Sequence, residues 1–355
     1  MLRLSTTRAL RAAGRAIAIA LLGTICTAAF ASDENYNVEV AGANLHFRVR
    51  GSSRSNPYLL ILHDGPGGNS LPYLHWGESL EDRFNVVYLD QRGCGQSARH
   101  PFANPMAPLR AETQAFTFER LLSDIEMVRR KLTIDHWFLL GHGFGAMLAT
   151  EYASHFGASV LGVILVNPIL TVQISEDSVL DATQLLCDSD LRSSDAIVRR
   201  DATLVIKHIA TVRSLPVGAA RYLESYGILR SKSIDLQFAK PSGARQLFDA
   251  TNSSARSYGY KPIELVNALE PEISLLLNDN LAKRDVRAEA ATLNCKMLVV
   301  TGKRDAASTP NQTISLVEKS GCRIVQFDGS GHFPFIEQPQ ALTKAIVGFL
   351  ESQAH

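Results

Sequence analysis

The chain has 355 residues, 46% of them hydrophobic and 20% charged, and a formal net charge of +1. That length holds one large α/β domain with an insertion, or two small domains, and the composition is that of a packed globule. A near-neutral chain offers no footprint for a polyanion, so no nucleic-acid partner is expected. It contains no C-x-x-C, H-E-x-x-H or Walker loop, so neither a metal nor a cofactor is expected.

Residues 1–31 read as an export signal. Arg3, Arg8, Arg11 and Arg15 form a basic region, Ala16 to Phe30 is a short apolar stretch, and Ala29-Phe30-Ala31 is a small-x-small cleavage site before Ser32. The stretch is short for a bilayer span. The expectation is therefore a secreted or periplasmic protein with no stable membrane span after cleavage. An N-terminal membrane anchor is the alternative. Export places Cys94, Cys187, Cys295 and Cys322 in an oxidising compartment. Cys295 begins one predicted strand and Cys322 the next. If those strands are neighbours the pair is a disulfide candidate; two buried free thiols are the alternative.

Two extended stretches, Tyr36–Val40 and Leu45–Val49, predict an opening hairpin split at Gly42. Tyr58–Leu62 is an uninterrupted apolar run of buried-strand type, followed by His63-Asp64-Gly65-Pro66-Gly67-Gly68. A second buried strand, Asn85–Leu89, leads into Asp90-Gln91-Arg92-Gly93-Cys94-Gly95-Gln96-Ser97. Phe118 to Leu132 has helical spacing. The strand Trp137–Leu140 runs into Gly141-His142-Gly143-Phe144-Gly145 and a helix from Ala146 to Phe156. Val160–Val166 is the next strand. From about Leu170 to Ala290 helical patterns dominate. Met297–Thr301 restores the strand pattern and ends in Gly302-Lys303-Arg304-Asp305. Arg323–Phe327 is the last strand, ending in Gly329-Ser330-Gly331-His332, and Ala341–Leu350 closes the chain as an amphipathic helix.

Alternating strands and helices predict an α/β fold: a mostly parallel central sheet with helices on both faces and a helical cap insertion. The expected division is 32–169 for the first part of the core, 170–290 for the cap and 291–355 for the second part of the core. Ligands of such sheets bind at the carboxyl edge.

The order of landmarks, Gly-x-?-x-Gly elbow, then acid, then His, resembles that of the α/β-hydrolase fold. His63-Asp64-Gly65-Pro66-Gly67 is similar to the His-Gly-Gly-Pro-Gly oxyanion loop of proline iminopeptidases. The run Asp90 to Ser97 resembles their Asp-Gln-Arg-Gly-x-Gly-x-Ser motif. The resemblance spans Tyr36 to Leu350, with the cap matched only by position and helical character. It implies His332 as base and Asp305 as its acid partner, with the Gly65 and Phe144 amides as oxyanion donors. It also implies a small-molecule or short-peptide ligand under the cap. Enzymes of this type read a substrate amine with cap carboxylates, for which Glu224, Glu264 and Glu270 are the candidates.

Two residues depart from the pattern. Gly143 stands where the family has its attacking Ser, so no hydroxyl is present there. Asp64 replaces a Gly of the oxyanion loop. Facing the site, it would oppose a developing oxyanion or hold a substrate ammonium; otherwise it caps a turn. Cys94, His142 and Ser97 are no substitutes for the nucleophile: Cys94 fills a variable motif position and reads as packing, and Ser97 ends a motif whose Ser is structural. Three readings follow. The chain is a variant of a serine hydrolase of small amides or esters, changed at one residue; or a binding protein that kept the pocket; or a non-covalent catalyst using His332–Asp305 as general base.

Overall fold

The computed structural model describes residues 32–41, 43–97, 116–257, 281–319 and 321–352. The expected export signal (1–31), Gly42, Glu264 and Glu270 lie outside the described residues.

Eight strands form one sheet in the order β1-β2-β4-β3-β5-β6-β7-β8. β1 (Ser32–Val40) and β2 (Ala43–Gly51) are antiparallel, and β2 is antiparallel to β4 (Asn85–Leu89). β4, β3 (Tyr58–Leu62), β5 (Trp137–His142), β6 (Val160–Val166), β7 (Lys296–Gly302) and β8 (Cys322–Phe327) then run parallel. The parallel strands read as unbroken apolar runs because both their faces are covered. Period-two alternation splits them cleanly. Leu60, Leu62, Leu139, Val163 and Val299 join one core layer, and Leu59, Ile61, Leu140, Ile164 and Val300 join the other.

The first layer is covered by α2 (Phe118–Lys131) and α3 (Phe144–His155), the second by α1 (Leu71–Gly77) and, late in the chain, by α10 (Pro339–Glu351). Between β6 and β7 the described residues form helices only: α4 (Val172–Asp190), α5 (Ala196–Ser214), α6 (Ala219–Ser231), α7 (Ser233–Gln237) and α8 (Pro241–Ser257). They bury a small core of their own, including Val179, Leu180, Ile209, Val212 and Ile228. α9 (Arg287–Thr292) contributes Ala290 to the sheet's first layer, so the core side of the chain resumes slightly before residue 291.

The candidate disulfide is not formed. Cys295 and Cys322 are both free thiols. Their strands are neighbours, as the pairing required, but the register sets Cys322 opposite Met297, two residues beyond Cys295. Among the described residues no helix is long and apolar enough to cross a membrane.

Candidate active site

Four loops at the carboxyl edge of the sheet, after β3, β5, β7 and β8, build the site. Each delivers one part of the site. At the end of β5 the chain turns into α3 through Gly143, which has φ 53° and ψ −115°. A side chain is strained in that conformation. The turn is also crowded: a Cβ at Gly145 would stand 2.2 Å from the Leu62 carbonyl oxygen. α3 starts at Phe144, two residues earlier than its apolar pattern suggests, so the Phe144 amide lies in the first turn and points outward.

Asp305 follows β7, and His332 follows β8. Asp305 Oδ1 accepts the amides of Ala307 (2.8 Å) and Ser308 (3.2 Å), which fixes the carboxylate. Its Oδ2 lies 2.6 Å from His332 Nδ1. The backbone around His332 is pinned as well. Its N–H donates to the Gln237 carbonyl of α7 (2.6 Å), and its carbonyl accepts from Asn167 Nδ2 (2.8 Å) and His142 Nε2 (2.6 Å).

The residue that changes the chemistry is Asp64, after β3. Its Oδ1 accepts the Phe144 amide at 2.8 Å, and its Oδ2 lies 3.0 Å from His332 Nε2. A Cβ built on Gly143 would sit 2.0 Å from that same Oδ1. The Asp64 carboxylate therefore fills the volume that a side chain at position 143 would enter. It also occupies the helix N-terminal amide that an oxyanion would use. Gly65 lines the cavity beside it.

His332 is thus flanked by carboxylates at both ring nitrogens. Burial alone would lower its pKa, but the charges of Asp305 and Asp64 override that and raise it to about 10. Burial would likewise raise Asp64; the His332 charge and hydrogen bond hold it well below the usual carboxylate range instead. These directions favour an imidazolium at His332 facing an ionised Asp64. His142 differs: burial and the neighbouring His332 charge lower it to about 4, so it is neutral. With Nε2–H given to the His332 carbonyl, its Nδ1 accepts from the Tyr73 hydroxyl at 2.7 Å, and that hydroxyl accepts the Asp64 amide at 3.0 Å. His142 is a positioning residue that ties the two sides of the site together.

Asp64, His142 and His332 are also the group among the described residues whose ligand atoms come within 4.8 Å of one another as a metal would require. Each ring nitrogen of both histidines already faces a hydrogen-bond partner, so the donor set does not fit a metal.

The Asp90–Ser97 segment braces the His63–Gly68 loop. Gln91 donates its side-chain amide to the His63 carbonyl (2.7 Å) and its N–H to His63 Nε2 (3.1 Å). Arg92 makes a buried two-pronged pair with Asp124 at 2.8 and 2.6 Å. Cys94 is buried away from the cavity, and Ser97 Oγ donates to the Asp90 carbonyl.

Above the site the cap encloses a cavity of about 490 Å³, with Asp64, Phe144 and His332 in its wall. Glu224 does not reach it: it is half exposed on α6 and pairs with His208 at 3.2 Å. On the same helix Tyr222, Ser225, Tyr226 and Leu229 line the cavity, so the 3.6-residue period turns position 224 outward. Among the described residues the cap carboxylate in the cavity wall is Glu176, on α4, which sequence reasoning missed. Its oxygens accept no hydrogen bond, and Arg221 Nε stands 3.4 Å away. Burial raises its pKa to about 7 against the pull of Arg221.

Residues 57–191 match the family described as the alpha/beta hydrolase fold. The chain superimposes with a TM-score of 0.65 on the crystal structure of VinJ, at 19% identity, covering 90% of this chain and 99% of that one. This is an α/β-hydrolase fold. A proline iminopeptidase from Mycobacterium smegmatis gives a TM-score of 0.64 at 18% identity, over 90% of this chain and 98% of that one. In sequence this chain is similar to the proline iminopeptidase of Heyndrickxia coagulans, 26% identical over 318 residues, which is 89% of this chain and 98% of that protein. The likeness is therefore to proline iminopeptidases along nearly the whole length.

Proposed function

We propose that this chain is a proline-iminopeptidase-like α/β-hydrolase-fold enzyme that acts on a small ligand under its cap without a serine acyl-enzyme. One observation carries the reading: the Asp64 carboxylate occupies the volume that a Ser at position 143 would need. That contact supports reading Gly143 and Asp64 as a coupled pair rather than the site as a serine site altered at one residue. The proton inventory agrees. Serine chemistry starts with a neutral His that removes a proton. Here His332 starts protonated, with pKa about 10, and serves as an acid. The base or nucleophile beside it is a carboxylate. Glu176 brings a second carboxylate to the cavity wall and suits a substrate amine, the part expected of Glu224 and Glu264. We read residues 1–31 as an export signal, to be checked by N-terminal sequencing of the mature protein.

The test uses a fluorophosphonate probe together with aminoacyl arylamide and aryl ester substrates. The native chain is expected to show no labelled serine and no hydrolysis of either. Gly143→Ser alone gains nothing, whereas Gly143→Ser with Asp64→Gly gains probe labelling at position 143. Labelling of the native chain, or full labelling of the single variant, contradicts the reading. A second reading is favoured by the occupied Phe144 amide: a binding protein. It predicts ligand-induced thermal stabilisation that His332→Ala leaves intact, with no turnover of any substrate.

A further inference from the structure

We propose that Asp64 is the nucleophile of this chain and that the substrate class is the epoxide, opened by Asp64 and protonated by His332. The inference rests on the reading that the site works without serine. Its basis is placement. Asp64 Oδ2 is 3.0 Å from His332 Nε2, and Oδ1 is 2.8 Å from the Phe144 amide at the start of α3. The carboxylate lines the cavity, and Gly143 is the residue whose missing side chain makes room for it.

The electrophile follows from what this pair can do. A carboxylate attacking an ester or amide carbon yields an anhydride, more reactive than the substrate it came from. Attack on saturated carbon yields an ordinary ester, a usable intermediate. An epoxide needs a nucleophile and an acid at one spot, and the site holds both. An alkyl halide takes no proton as it leaves, so His332 would remain protonated when the second step requires a base. The cavity walls contributed by Met147, Phe238, Phe333 and Phe335 suit an apolar substituent on the ring.

The steps balance. Oδ2 forms a bond to a ring carbon, the ring C–O bond breaks, and its electron pair stays on oxygen, which takes the proton from Nε2. Asp64 is now a neutral ester and His332 is neutral with one carboxylate partner left. Neutral Nε2 takes a proton from water as the water oxygen attacks the Asp64 carboxyl carbon. Oδ1 carries the developing charge and faces the Phe144 amide. Collapse expels the diol oxygen, which takes the proton back from Nε2. The carboxylic acid left on Asp64 then protonates His332, restoring the resting site. Epoxide and water give a diol.

The experiment is a single turnover with native enzyme in excess over styrene oxide or phenyl glycidyl ether in oxygen-18 water. The expected result is an unlabelled carbon–oxygen bond in the first diol and oxygen-18 in the peptide containing Asp64. Acid quench captures that peptide heavier by one epoxide, and Asp64→Asn lowers diol formation by roughly 10³-fold or more. Oxygen-18 in the first diol overturns the proposal, as does failure of both epoxides to give adduct or diol. Neither failure touches the fluorophosphonate result, which tests the absence of serine chemistry by itself.

Discussion

Restoring the serine at position 143 should damage the protein rather than rescue it. In Gly143→Ser the new Cβ would fall 2.0 Å from Asp64 Oδ1 and 2.5 Å from its Cγ. Neither separation is tolerable, so Asp64 must move and surrender both the Phe144 amide and His332. Two costs add. A side chain at φ 53° is strained by about 1–3 kcal/mol. Breaking a buried ion pair costs about 3–5 kcal/mol, less here because Asp64 is partly exposed and His332 keeps Asp305. A net loss of about 3–4 kcal/mol is expected. In the Asp64→Gly background the clash is gone, and the same serine costs only its strain. Urea denaturation of the native chain, both single variants and the double variant gives the coupling energy. The double variant should be more stable than the sum of the singles by about 2 kcal/mol. Additive effects would refute the claim that the two positions share one volume.

The paired imidazolium makes stability depend on pH. His332 is raised to about 10 from an ordinary 6.5, so its contribution is full below pH 6.5 and is lost as pH rises toward 10. Asp64 is lowered, so its share of the same interaction is present above the ordinary carboxylate range and fades in acid. The stability gap between native chain and His332→Gln, read by urea melts, should be widest near pH 5–6.5 and narrow by pH 10. Glu176, raised to about 7, acts in the same sense as His332 but over a lower window: its charge costs stability above its ordinary 4.5, and the cost levels off beyond pH 7. Glu176→Gln should stabilise the protein at pH 8 by about 1–3 kcal/mol, with a smaller effect at pH 5, while weakening inhibition by alkylamines. Arg92→Ala strands the buried Asp124 carboxylate and should cost about 3–5 kcal/mol in thermal or urea unfolding.

The sheet was legible because buried parallel strands carry an unbroken apolar signal. Tyr58–Leu62, Asn85–Leu89 and Val160–Val166 form over the expected residues. Asp305 and His332 were findable because each ends such a strand at the same edge. The direction of Asp64 was not, since a Gly- and Pro-rich loop has no periodicity from which to read where a side chain points. Its three expected options, opposing an oxyanion, holding a substrate ammonium or capping a turn, left out the one observed: a carboxylate seated in place of the missing side chain. The signal that could have found it is the pairing of an added carboxylate in one loop with a lost side chain in the next. Glu176 was hidden for a different reason. A carboxylate on a cap helix looks like a solvent-facing residue unless the partner surface is known, and Glu224, chosen instead, lies off the stripe formed by Tyr222, Ser225, Tyr226 and Leu229. The cysteines show the limit of adjacency: neighbouring strands do not align residues that the register offsets by two.

The arrangement of Asp64, His332 and Asp305 is most directly tested by nitrogen-15 and proton NMR of the His332 ring, assigned by its loss in His332→Gln. Both ring N–H signals should persist at pH 8, and the ring should titrate near pH 10. An imidazole that loses its second proton near pH 6.5 would contradict the account, because it would mean that Asp64 does not hold the ring from the side of the vacant elbow.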